Sequence, residues 1–248
     1  MRKCLIYIVL LAVLTACGTK RQYFVTALHG ERLPVLAAKT PDPEMLAFVD
    51  SYKHKLDKEM NQVIGRSLQS MTAKAPESLL TNFTSDVMLL PDENIVGKKA
   101  DLSVMNIHGH RASMPEGDIT VGNIFEIYSF DNMLAVLQLK GADLMDLFRA
   151  YARMGGTGIS STVRLVIKDK QLLDAKIDGK AVVKDKLYTI VTLDYLADGN
   201  DGMDALKKAV SVKNTGITLR DYMLDYIKDQ TAKGQAISSK LDGRISIE

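Results

Sequence analysis

The sequence predicts a mixed α/β fold, of the α+β kind, with layered helices and a mixed β-sheet, and three observations predict it. Helical and strand-like hydrophobic periods alternate along the chain. No internal repeat or low-complexity stretch interrupts them. The composition, 46% hydrophobic and 25% charged over 248 residues, is that of a chain able to bury one good core.

Taken in order, the elements follow from spacing. A short strand is expected at 23–28, then prolines at Pro34, Pro41 and Pro43. Met45, Phe48, Val49, Tyr52, Leu56 and Met60 recur at three- and four-residue steps, so 44–60 is an amphipathic helix, with Pro43 suited to its first turn. A strand at 63–68 and a helix over 77–90, stopped by Pro91, come next. The apolar run 102–105 reads as a strand feeding the polar loop 106–111, a natural place for ligand contacts. Thr120 opens a helical turn to 127, 134–140 alternates as a strand, and 141–151 is a helix with Leu144, Leu147 and Phe148 inward. The β-branched runs 163–167 and 188–193 are strands, and the second empties into a Gly/Asn/Asp cluster at 194–202 that reads as a loop. A helix over 219–227 and a strand at 245–247 close the chain.

The first residues have another character. Arg2 and Lys3 precede an apolar run, Leu5 to Leu14, too short to span a bilayer, which reads as a signal peptide over 1–16. The Leu14-Thr15-Ala16-Cys17 ending resembles a bacterial lipobox, which implies cleavage before Cys17 and its acylation. The other cysteine, Cys4, lies inside the removed segment, which leaves Cys17 no disulfide partner. Residues 17–42 are then a lipidated tether and 43–248 the folded domain. The expected location is the periplasm or cell envelope, with the membrane engaged through the lipid anchor only.

Charge narrows the partners. The chain has 32 Lys plus Arg against 30 Asp plus Glu; loss of Arg2 and Lys3 leaves 30 against 30. A neutral surface does not suit a nucleic-acid polymer, whereas a small anion needs only one or two local arginines. The chemistry of a two-metal hydrolase is also missing, since it needs several His, Asp and Asn ligands at short spacing. Of four histidines, His29 falls in the tether and His54 on the polar side of the first helix; His108 and His110 have no third or fourth ligand near them. They read as a polar loop pair. No Gly-x-Ser-x-Gly elbow or phosphate-cradling loop occurs.

Three loops carry a resemblance. Asn106-Ile107-His108-Gly109-His110-Arg111 resembles the Asn-Gly-Gly-Gly-Ile-Arg loop in the C-terminal, substrate-specificity domain of 5'-nucleotidases. Ser129-Phe130-Asp131-Asn132 is similar to that family's Pro-Phe-Gly-Asn segment, and the run from Asp194 through Tyr195, Gly199 and Asp201 to Met203 looks like its Asn-Phe-x-Ala-x-Gly-Gly-Asp-Gly-Phe loop. The likeness continues at Glu77, Asn82 and Asp86, at Leu139-Lys140-Gly141 and at Asp242-Gly243-Arg244-Ile245, in collinear order from Asp42 to Glu248. The resemblance implies a pocket in which Phe130 and Tyr195 clamp a nucleobase, Asp201 holds ribose hydroxyls, Asn106 meets the base and Arg111 the phosphate. Gly109 and Gly199 pass close to the ligand. Stacking and a planar guanidinium suit such a ligand. By residue type alone, Phe130 is equally a core residue, Tyr195 a rim residue, Asp201 a turn residue and Arg111 a surface residue.

The chain departs from the pattern at Ile107 and His108, which replace glycines, and at Asn200 and Met203, which replace a glycine and an aromatic. The family's enzymes carry an N-terminal metallophosphoesterase domain, and here a leader and tether stand in its place. The expectation is a nucleoside- or nucleotide-recognition subunit, inactive alone and with no cofactor of its own. It would act with a separately encoded metallophosphoesterase that holds the divalent metals. The alternatives are a binding lipoprotein that captures nucleosides or nucleotides without hydrolysis, and a structural domain with a degenerate pocket.

Overall fold

A computed structural model describes residues 23–34, 42–90 and 99–248. The signal peptide and Cys17 lie outside the described residues. The chain divides between Leu46 and Ala47. In the first part, residues 23–34 form no regular structure and are exposed throughout, so the strand expected at 23–28 does not form. Among the described residues no strand pairs with Tyr23, Phe24 and Val25, and propensity alone does not hold a strand in water.

Helix α1 (Pro43–Met60) buries none of its residues, so its apolar stripe, from Phe48 through Tyr52 to Leu56, stays open to solvent. Among the described residues, no helix is long and apolar enough to cross a membrane. The body proper begins with β1 (Val63–Ser67), α2 (Leu79–Met88), β2 (Leu102–Met105), β3 (Gly117–Thr120), α3 (Val121–Ile127), β4 (Met133–Lys140) and α4 (Gly141–Met154). It continues with β5 (Gly158–Ile159), β6 (Val163–Lys168), β7 (Gln171–Ile177), β8 (Lys180–Ala181), β9 (Leu187–Leu193), α5 (Asp194–Ala197), β10 (Ser211–Thr218), α6 (Leu219–Ala232) and β11 (Ile245–Ile247).

Local chemistry sets the boundaries. Thr120 caps α3 by accepting the Asn123 N–H at 3.2 Å, and the Asn123 side chain returns the bond to the Thr120 N–H at 2.9 Å. Thr218 caps α6 in the same way, through the Asp221 N–H at 3.0 Å. Helix α4 runs one turn past its expected end because Met154 continues the pattern, and it stops at Gly155, which takes the left-handed conformation at φ 80°.

The strands form three sheets, and the five-stranded one, ordered β10-β4-β9-β2-β5, is the frame. Strands β2 and β9 run parallel, with Leu102 opposite Ile190, while β4 and β10 are antiparallel to their neighbours. Strand β9, third of the five, buries every residue from Tyr188 to Leu193, as a continuous run of apolar and β-branched residues at the centre of a sheet does. The four-stranded sheet, β11-β6-β7-β8, pairs β11 in parallel with β6, and β1 pairs with β3. One core joins them through Leu144, Leu147, Phe148 and Tyr151 of α4, Leu80 and Met88 of α2, and Met223 and Ile227 of α6.

Candidate functional site

Strand direction decides where the three loops meet. Since β2 and β9 are parallel neighbours, the segments that leave their C-terminal ends emerge at the same end of the sheet. Strand β4 is antiparallel to β9, with Leu134 opposite Leu193, so the residues that enter β4 arrive at that end too. Loops 106–111, 129–132 and 194–203 therefore converge, though far apart in sequence. Ends of adjacent strands commonly form binding clefts for this topological reason.

The convergence encloses a cavity of about 200 Å³. Asn106, Gly109, Arg111, Phe130, Tyr195 and Asp201 line it, and so do His108 and Asn132. Thus six of the seven residues expected at the pocket meet there. The seventh, Gly199, is not among the lining residues. It holds a left-handed backbone at φ 80°, where a Cβ would lie 2.3 Å from Cε of Lys207. That glycine shapes the turn and does not approach the cavity.

Phe130 and Tyr195 are 49% and 40% exposed, which removes the core reading of Phe130. Both rings line the cavity, and among the described residues they do not pair with each other. The guanidinium carbon of Arg111 stands 5.8 Å from the centre of the Phe130 ring, a cation–π arrangement that keeps the arginine over the cavity.

Neighbouring bonds hold the rings in place. Asp194 accepts from the Tyr195 N–H at 2.7 Å and the Met133 N–H at 3.1 Å, which ties the start of α5 to the start of β4. Asp194–Ala197 is thus one helical turn where a loop was expected, followed by a 3₁₀ turn at Asn200–Gly202. Asn200 donates its side-chain N–H to the Tyr195 carbonyl at 2.7 Å and braces that turn. The Phe130 segment is gripped from α6. Arg220 pairs with Asp131, its Nη1 lies 3.4 Å from the Tyr128 carbonyl, and Leu219 donates to the Asn132 carbonyl at 2.9 Å. Nothing near Phe130 in the sequence signals Arg220, which lies 90 residues downstream.

Asp201 is the polar centre. It has a left-handed backbone, φ 53°, which a short polar residue tolerates best after glycine. Its Oδ1 accepts the Tyr195 hydroxyl at 3.0 Å and its Oδ2 accepts the Asn106 amide at 2.6 Å. The bond to Asp201, reinforced by its negative charge, raises the pKa of the Tyr195 phenol. Asn106, 6% exposed, thus directs its amide to Asp201, and its carbonyl Oδ1 is buried without a partner. Gly109 is required here, since a Cβ would fall 2.5 Å from that oxygen.

The two histidines of the first loop divide. His108 is exposed at the cavity wall. His110 turns inward, where its Nε2 lies 2.8 Å from the Thr84 hydroxyl and its Nδ1 3.2 Å from the Ile107 carbonyl. Burial lowers its pKa from 6.5 to about 4, only partly offset by backbone hydrogen bonds from the same loop. It is a neutral strut beneath the loop. Among the described residues, no group of three or more His, Cys, Asp or Glu side chains is placed to hold a metal ion.

Comparison with known proteins agrees with this geometry. The family described as "5'-nucleotidase, C-terminal domain" matches residues 56–208. UshA of Escherichia coli is 32% identical over 133 residues, which take in 52% of this chain and 24% of UshA. The trifunctional nucleotide phosphoesterase YfkN of Bacillus subtilis is 26% identical over 233 residues, or 86% of this chain and 16% of YfkN. Among solved structures, a 5'-nucleotidase precursor from Thermus thermophilus superposes with a TM-score of 0.70 at 23% identity, over 82% of this chain and 42% of that one. The chain therefore spans less than half the length of these relatives. With the family matched over more than half of its residues and its fold shared, the chain belongs to the 5'-nucleotidase C-terminal domain family.

Proposed function

We propose that this chain is the nucleoside- or nucleotide-recognising component of a split 5'-nucleotidase-like phosphohydrolase, working with a separately encoded metallophosphoesterase. The observation that carries the reading is the cavity itself, where two half-exposed aromatic rings, an arginine and a fixed carboxylate face one space. Stacking on either ring accepts any nucleobase, since each has a π face. The Arg111 fork matches phosphate oxygens, and Asp201, held by Tyr195 and Asn106, offers its remaining lone pairs to ribose hydroxyls. This chain would fix the nucleoside so that its phosphate meets the partner, whose metals would supply the activation of water for hydrolysis. Relatives named as nucleotide phosphoesterases support that assignment. The lipobox at Cys17, together with a relative named a cell wall protein, supports an exported, membrane-anchored location.

Calorimetric titration of the chain from Cys17 onward with adenosine and AMP tests the reading. Adenosine binding, strengthened by the phosphate of AMP in the parent but not in Arg111→Ala, is the expected result. AMP hydrolysis requires addition of the exported phosphoesterase. Absence of binding by both ligands, or hydrolysis by the purified chain alone, overturns the proposal.

A further inference from the structure

A second cavity, of about 270 Å³, adjoins the first and shares Asn106, His108 and Asp201 with it. The Asn106–Asp201 hydrogen bond, 2.6 Å long, is the partition between them. The lobes differ in chemistry. Arg111 lines the first, whereas no lysine or arginine is among the described residues lining the second. Ile107, Met154 and Met203 give the second lobe an apolar wall, and the Thr157 hydroxyl beside them donates to the Met105 carbonyl at 3.0 Å. The carboxylate of Asp201 is its one fixed charge, which repels phosphate and accepts hydroxyl or amine donors. Ile107 and His108, which stand where the resembled loop has glycines, and Met203, which stands where it has an aromatic, all line this lobe.

We infer that the second lobe is a subsite of this chain for an uncharged, ring-sized apolar group carried on the ribose side of the ligand. The inference rests on the nucleoside reading given above. With the base between Phe130 and Tyr195 and the ribose at Asp201, a substituent on the 2′ or 3′ oxygen passes the partition into the second lobe. The remaining hydroxyl still donates to Asp201. Thioether and branched aliphatic side chains adapt well to such a group, because they fill space without demanding hydrogen bonds. The ligand class is a 2′- or 3′-O-acylated nucleoside.

The probe is 2′/3′-O-(N-methylanthraniloyl)adenosine, a neutral fluorescent ester, compared with adenosine in titrations of the chain from Cys17 onward. The ester binds at least about tenfold more tightly, with blue-shifted emission from an apolar environment. Met154→Trp, which fills the second lobe from the end of α4, abolishes that advantage and leaves adenosine affinity unchanged. Met154→Ala, which enlarges the lobe, retains it. An ester that binds no better than adenosine, or whose advantage survives Met154→Trp, overturns the inference while the nucleoside reading stands. Failure of both ligands to bind overturns the two together.

Discussion

Two arginines in this chain meet opposite fates, and the contrast separates what stabilises the fold from what the fold presents. Arg244 is 1% exposed and spends all its donors inside. It forks onto Asp86 at 3.0 and 2.9 Å, onto Asp242 at 3.1 and 3.0 Å, and donates to the Ile159 carbonyl at 2.8 Å. Glu77 stands behind, accepting the Asn82 amide at 2.6 Å and the Asp242 N–H at 2.9 Å. That network clasps the strand β11 end to α2 and β5. Arg111 is exposed, rests on an aromatic face and forms no ion pair among the described residues. A saturated guanidinium fastens elements together, whereas an open one is available to a ligand.

The sharpest way to break the comparison is at the buried arginine. Arg244→Met leaves Asp86 and Glu77 without their cation and Asp242 with only the longer contact to Arg164, and about 3–5 kcal/mol of stability should be lost. Chemical denaturation reads this as a lower midpoint at an unchanged slope, whereas Arg111→Met should melt with the parent. Equal effects from the two would erase the distinction.

The next largest effect belongs to His110, the internal member of the first loop. Its folded-state pKa, about 4, lies below the ordinary 6.5, so the unfolded chain binds the proton more tightly. Stability from this group is therefore complete above 6.5 and declines as pH falls toward 4, by up to about 1.4 kcal/mol per pH unit. His110→Gln should flatten that slope in denaturation curves between pH 4 and 7.

The exposed rings come third. Phe130→Ala or Tyr195→Ala should weaken adenosine binding by about 1–3 kcal/mol with little change in melting, since neither ring is packed inside. A buried aromatic behaves in the reverse way, losing about 3–5 kcal/mol of stability. Calorimetry and thermal melts on the same samples separate the two.

The smallest change concerns one hydroxyl. Tyr195→Phe keeps the stacking face but frees Asp201 Oδ1, so adenosine affinity should fall by about 0.5–1.5 kcal/mol. The loss should shrink for 2′,3′-dideoxyadenosine, which has no hydroxyl for Asp201 to receive. An equal loss for both nucleosides would detach Asp201 from the ribose.

Much of this protein was legible in its sequence because its elements obey short-range rules. Strand β2 and helix α3 lie where apolar runs and a Thr120 cap place them, within a residue or two. Strands β7 and β10 escaped because their exposed residues show no regular alternation, and β10 exists only by pairing with β4. Six residues that line the cavity are named by the ordered motifs, yet the motifs are silent on what joins them. Arg220 beneath the Phe130 segment, the Tyr195–Asp201–Asn106 linkage and Gly199's distance from the cavity all depend on strand order. Even Arg244, which the sequence offers only as part of the Asp242-Gly243-Arg244-Ile245 likeness, acquires its meaning from Asp86, 158 residues earlier. Most of the elements, the family and the residue types of the pocket follow from the sequence alone, since periodicity, capping and motif order act over a few residues. Long-range packing decides which of two arginines is buried and which histidine lines the cavity. Burial and the partners of polar groups are set by residues that are close in space and distant in the chain.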